Sequence, residues 1–167
     1  MRPTSQSDKD LASTTKHFEV VKGGEAGEAF DERSMQALIP AVSITRSQWD
    51  HAYGEAYVLF RAGRYENALP ILANLVRQTP MIAACHFMVA ACLHRLASYP
   101  QAVQSYLAAY ALDVDDPLPL FHCADCLYKL EKPHEAKASL ERFIDSANPT
   151  KYGSQIKQAQ VLINSHR

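Results

Sequence analysis

The sequence predicts an all-α fold: three helix pairs stacked in a superhelical solenoid, with an N-terminal helix before them and a C-terminal capping helix after them. Three observations predict it. Small and bulky landmarks recur every thirty-four residues between Trp49 and Asn148: Ala56, Ala90 and Ala124, then Leu59, Leu93 and Leu127. Ala68, Ala102 and Ala136 follow, then Leu72, Tyr106 and Leu140. Gly63, Pro80, Pro100, Pro117, Pro133 and Pro149 punctuate this pattern where helices should start or turn. After the last repeat, Ile156, Ala159, Leu162 and Ile163 recur at helical spacing.

A period of that length, built on alternating small and bulky positions, is the signature of tetratricopeptide repeats, each a pair of antiparallel helices. The repeats occupy 49–82, 83–116 and 117–148, with a capping helix at 149–167. The alanines belong where two helices cross closely, since only a one-carbon side chain lets the backbones approach. A solenoid leaves its last repeat with an uncovered apolar face, and the amphipathic stretch after Pro149 supplies the cover.

The elements follow in order. Residues 1–27 form a polar N-terminal arm closed by Gly23, Gly24 and Gly27, too poor in apolar side chains to fold alone. Residues 28–48 hold a short helix and a linker. Phe30, Met35, Leu38 and Ile39 give that helix an apolar stripe, and Pro40 ends it. So short a helix needs a partner surface, either the first repeat or a second copy of the chain in a homodimer. Thr45-Arg46-Ser47-Gln48 fits a capping box for a helix over 46–62. The second helix runs over 65–78. Repeat two places helices at 82–96 and 100–112, and repeat three at 118–130 and 134–146.

Composition narrows the functional classes. A net charge of -1 argues against a nucleic-acid-binding face built on phosphate neutralisation. No run approaches the ~18 apolar residues of a membrane-spanning helix. The first ten residues lack the apolar stretch of a secretory signal, so an intracellular protein with free thiols is expected. No glycine-rich phosphate loop, HExxH or GxSxG motif is present, so no enzyme and no cofactor are expected. Cys123-Ala-Asp-Cys126 is a CxxC, and His86 and His122 each adjoin a cysteine. Cys92 and Cys126 nevertheless fall on one repeat position, which reads as packing thiols rather than as zinc or redox chemistry. Asp113, Asp115 and Asp116 lack the downstream glycine and glutamate of a calcium loop and read as a turn with solvated carboxylates.

The function lies in the groove. The first helix of each pair lines the concave face, through the second, fifth, ninth, twelfth and thirteenth repeat positions. These are Asp50, Tyr53, Tyr57, Phe60 and Arg61 in repeat one, and Ala84, Phe87, Ala91, His94 and Arg95 in repeat two. Repeat three supplies Leu118, Phe121, Asp125, Tyr128 and Lys129. With Asp50, Tyr53 and Tyr57 in repeat one, a cationic clamp for acidic peptide C-termini is absent. Tyr53, Tyr57, Phe60, Phe87, His94, Phe121 and Tyr128 are the candidate peptide-binding residues. Rings suit an extended apolar segment, whose side chains enter pockets while ring hydroxyls serve its backbone.

Several stretches are similar to class II type III secretion chaperones, the SycD, IpgC and SicA type. They are Ala56-Tyr57 through Gly63-Arg64-Tyr65-Glu66-Asn67-Ala68, Tyr99 to Tyr106, Glu135 to Glu141 and, above all, Pro119-Leu-Phe-His-Cys-Ala-Asp-Cys126. The Gly23-Gly24 pair resembles the step before that family's N-terminal helix. The resemblance implies a cytoplasmic chaperone of a Gram-negative bacterium. It would hold an extended segment of a hydrophobic translocator protein in the groove before export. Some such chaperones also act with a transcription activator. The alternative is a general tetratricopeptide adaptor for another assembly.

Overall fold

The computed structural model of the protein describes residues 44–165. The arm at 1–27, the helix expected at 28–39 and its stripe of Phe30, Met35, Leu38 and Ile39 lie outside the described residues. Seven helices follow one another among those described, with no strand: α1 (Arg46–Arg61), α2 (Tyr65–Gln78), α3 (Ala83–Arg95), α4 (Tyr99–Leu112), α5 (Leu118–Lys129), α6 (Pro133–Ser146) and α7 (Pro149–Ser165). The ends of α1 to α6 fall within one residue of the expected ones. Each helix packs chiefly on its sequence neighbours, with a lighter contact between α1 and α3, so the helices stack as a solenoid.

Local chemistry sets these ends. The Gln48 amide donates to the Thr45 hydroxyl at 3.3 Å, and the Thr45 amide donates to Gln48 Oε1 at 2.9 Å, which closes the capping box. Inside each repeat the chain turns through one left-handed residue: Gly63 at φ 75°, Ala97 at φ 58° and Glu131 at φ 59°. These positions are thirty-four residues apart, so one turn geometry recurs three times with different side chains. The left-handed residue lets the last carbonyls of the first helix find donors. Gly63 N donates to Phe60 O at 3.0 Å, Ala97 N to His94 O at 3.1 Å and Glu131 N to Tyr128 O at 3.1 Å.

The alanines lie where the helices cross. Ala56, Ala68, Ala90, Ala102, Ala124 and Ala136 are all completely buried. The core divides at α3. Ala56, Ala68, Leu72, Met88 and Cys92 join repeat one to one face of α3. Ala90, on another face, begins a larger cluster running through Tyr106, Leu120, Leu140 and Phe143 to Tyr152 and Ala159 of α7. Ile156, Leu162 and Ile163 pack against that cluster, so α7 covers the end of the stack.

Asp116 departs from the expected solvated turn. Its Oδ1 accepts from the Leu118 amide at 3.1 Å and from the Tyr152 hydroxyl at 2.6 Å. The carboxylate thus holds the start of α5 and fastens α7 to the turn before repeat three. Tyr152 is also where α7 kinks, with φ -118° and ψ 22°. Asp113 and Asp115 remain exposed.

Candidate functional site

The groove-facing side chains come from α1, α3 and α5. On α1, Tyr53 is half-buried and stacks on Trp49, with ring centroids 4.9 Å apart and planes within 10°. The Trp49 indole N–H donates to the Thr79 hydroxyl at 3.2 Å, which donates in turn to the Leu75 carbonyl at 2.8 Å. The end of α2 thereby orients the stack. Burial, with Cys85 and Tyr57 nearby, pushes the Tyr53 phenol up to about 12, so it stays a neutral donor at any physiological pH. Tyr57 is 47% exposed and offers its ring to an incoming chain. Phe60 packs partly on the first core cluster and meets Tyr65 edge-on at 5.3 Å.

Repeats two and three enclose a cavity of about 400 Å³ between α3, α4 and α5. Phe87, Ala91, His94 and Arg95 line it from α3, Tyr99 and Tyr106 from α4, and His122 and Asp125 from α5. Tyr106 and His122 stack at 5.7 Å with planes within 22°, and Phe87 meets both edge-on at 5.6 and 5.7 Å. Two arms of His94 cross the cavity. Its Nε2 lies 3.0 Å from Asp125 Oδ2, and its Nδ1 lies 3.4 Å from the Tyr106 hydroxyl. Hydrogen bonding to His94 holds the Asp125 carboxyl below its ordinary value. Burial pulls His122 down and favours its neutral imidazole.

The cavity thus brings together two of the expected site residues, Phe87 and His94. Tyr53, Tyr57 and Phe60 stand apart from it on α1. Phe121 divides its contacts between His122, at 5.5 Å, and the core residue Phe143, at 5.3 Å. It supports the cavity wall as well as the groove. Tyr128 is half-buried on α5, and burial raises its phenol. Tyr99, Tyr106 and His122 were missed. Tyr106 carried a signal, because a ring replaces leucine at its landmark position in the other two repeats.

Cys85, Cys92, Cys123 and Cys126 are all buried and unpaired. Burial pushes the first three thiols up to about 11 and Cys126 up to about 12, which favours their neutral form. Among the described residues, no three His, Cys, Asp or Glu side chains gather as a metal-ligand set. Among the same residues, no helix is long and apolar enough to cross a membrane.

Comparison with known proteins places this geometry. A tetratricopeptide-repeat family model matches residues 53–117. The chain is 25% identical over 97 residues to the low calcium response locus protein H of Yersinia pestis. That match takes in 58% of this chain and 58% of the length of that relative. The Yersinia enterocolitica type III secretion chaperone SycD, solved with a peptide of the translocator YopD, superposes with a TM-score of 0.71 at 21% identity. That superposition covers 74% of this chain and 95% of SycD. PcrH of Pseudomonas aeruginosa, solved with the chaperone-binding region of PopD, gives a TM-score of 0.71 at 21% identity over 75% of this chain and 96% of PcrH. The chain therefore has the all-α tetratricopeptide-repeat solenoid fold that these translocator chaperones share.

Proposed function

We propose that this protein is a cytoplasmic chaperone for hydrophobic translocator proteins of a type III secretion system. It holds an extended apolar segment of its client in the groove of α1, α3 and α5 until export. The observation that carries this reading is the run of rings along those three helices, on a fold shared with chaperones solved with translocator peptides. The activity is binding, not catalysis. Under the same proposal, Tyr53, Tyr57, Phe60, Phe87, His94, Phe121 and Tyr128 receive the client. Residues 49–148 form the binding scaffold and 149–167 its cap. Phe30, Met35, Leu38 and Ile39, within 28–48 and after the arm 1–27, serve a homodimer contact.

Magnitudes suit such a role. Two or three anchor side chains each contribute about 1.5–3 kcal/mol when buried. Ordering a flexible ligand offsets several kcal/mol of that. Micromolar affinity for a short segment follows, sufficient to shield a client and weak enough to release it.

Co-expression with a translocator of the same bacterium's type III system tests the proposal. The wild-type chain is expected to keep the translocator soluble as a co-purifying complex. Replacing Tyr57, Phe87 and Phe121 together by Ala should abolish that complex, with circular dichroism confirming a folded variant. An undiminished complex from the folded triple variant would refute the groove mechanism, and a general adaptor would then be the better reading.

A further inference from the structure

The cavity in the middle of the groove carries charge that the aromatic pattern does not explain. Arg95 reaches it from the last turn of α3 and is exposed, with no carboxylate at ion-pair distance among the described residues. Asp125 is the nearby acid, but its carboxylate is engaged by His94 at 3.0 Å. Lys129, one turn further along α5, also acts on Asp125. Arg95 on the cavity wall and Lys129 near Asp125 thus supply two fixed positive charges against one carboxylate. The remaining polar wall consists of Tyr99, Tyr106 and His122, whose rings are neutral or donors. The local field favours an anion.

We propose that this cavity is a subsite for a glutamate or aspartate side chain of the bound extended segment, with Arg95 as its counter-ion and the surrounding rings seating its methylene groups. The inference rests on the reading of the groove as a peptide site, and it adds a polar requirement to an otherwise apolar recognition pattern. A guanidinium forms paired hydrogen bonds with a carboxylate, which a carboxamide cannot reproduce at full strength. Arg61 and Lys129 occupy the same repeat position as Arg95, so the groove carries further cations on either side. Cations in the last turn of a helix also favour its macrodipole. That structural contribution would alter stability but not choose between ligands.

The test uses the full chain and fluorescein-labelled twelve-residue peptides with leucine anchors on a glutamine background. In these a single glutamate is walked through every position, and affinities come from anisotropy at fixed salt. One register is expected to bind about tenfold more tightly than the all-glutamine peptide. Arg95→Gln should erase that preference, bringing the glutamate and all-glutamine peptides to equal affinity, with the melting temperature close to wild type. Phe87→Ala should weaken both peptides alike. If no register prefers glutamate, or if the preference survives Arg95→Gln, the subsite is refuted. A Phe87→Ala loss in that case leaves the apolar groove standing. If no peptide binds at all, the groove reading and the subsite both fall.

Discussion

Residues 63, 97 and 131 share one backbone conformation, yet only the first is glycine. A side chain in the left-handed region costs about 1–2 kcal/mol, because Cβ approaches the following carbonyl. Glycine relieves that contact but loses more conformational freedom on folding. Ala97→Gly and Glu131→Gly should therefore each raise unfolding stability by about 0.5–1 kcal/mol, and Gly63→Ala should lower it by about 1 kcal/mol, as read by urea titration. Space is not at issue at Gly63, where a Cβ would meet nothing within 4 Å. The sequence announced a turn at all three positions, but only Gly63 signals the left-handed conformation, which neither alanine nor glutamate favours. His122 makes a second case. Burial lowers its folded pKa below the ordinary 6.5, so the unfolded chain binds the extra proton first as pH falls. Its contribution is complete above about pH 6.5 and is lost as pH drops toward the folded value. Melting temperature should fall between pH 7.5 and pH 5.5, and His122→Phe should show a smaller fall. An equal fall in the variant would clear His122 of the effect.

At the scale of the element, proline and glycine made the helices legible. They end or start a helix for local reasons that a sequence displays directly. The fastening of α7 was not legible in that way. Tyr152 and Asp116 are thirty-six positions apart, and nothing local to either residue announces the 2.6 Å bond between them. An aspartate after a helix reads as a turn residue whether or not a distant hydroxyl reaches it. Tyr152→Phe removes that donor while keeping the ring against Phe143, 6.0 Å away. The substitution should cost about 1 kcal/mol, and amide exchange should quicken in α7 before it quickens in α5. Uniform quickening through the stack would mean that the bond does not control the cap separately. The cavity was half legible for a related reason. His94 and Asp125 were both placed on the groove by repeat position, but their 3.0 Å contact joins two repeats that the period treats as equivalent. Tyr99 and Tyr106 lie on the second helix of repeat two, outside the positions counted as groove-facing.

In the molecule as a whole, the first helix of each repeat faces the groove and α4 adds Tyr99 and Tyr106 to its middle, so under the proposed function binding surface accumulates along the stack. Alanines at the crossings set the approach of the helices, and the rings beside them shape what enters. The near-neutral net charge of -1 offers no long-range attraction, which leaves recognition to short-range burial and to the few charges in the cavity. This division explains why a thirty-four-residue period was enough to assign the fold, while under the proposed function the choice of client would depend on side chains that the period leaves free to vary.

Photo-crosslinking reads that central claim most directly. A benzophenone side chain is placed at Tyr57 on α1 or at Leu107 on α4, which are 47% and 43% exposed and so equally open to solvent. In a complex with the co-expressed translocator, the probe at Tyr57 should capture the client and the probe at Leu107 should not. Capture at Leu107 with none at Tyr57 would place the client away from the rings of α1 and contradict the account.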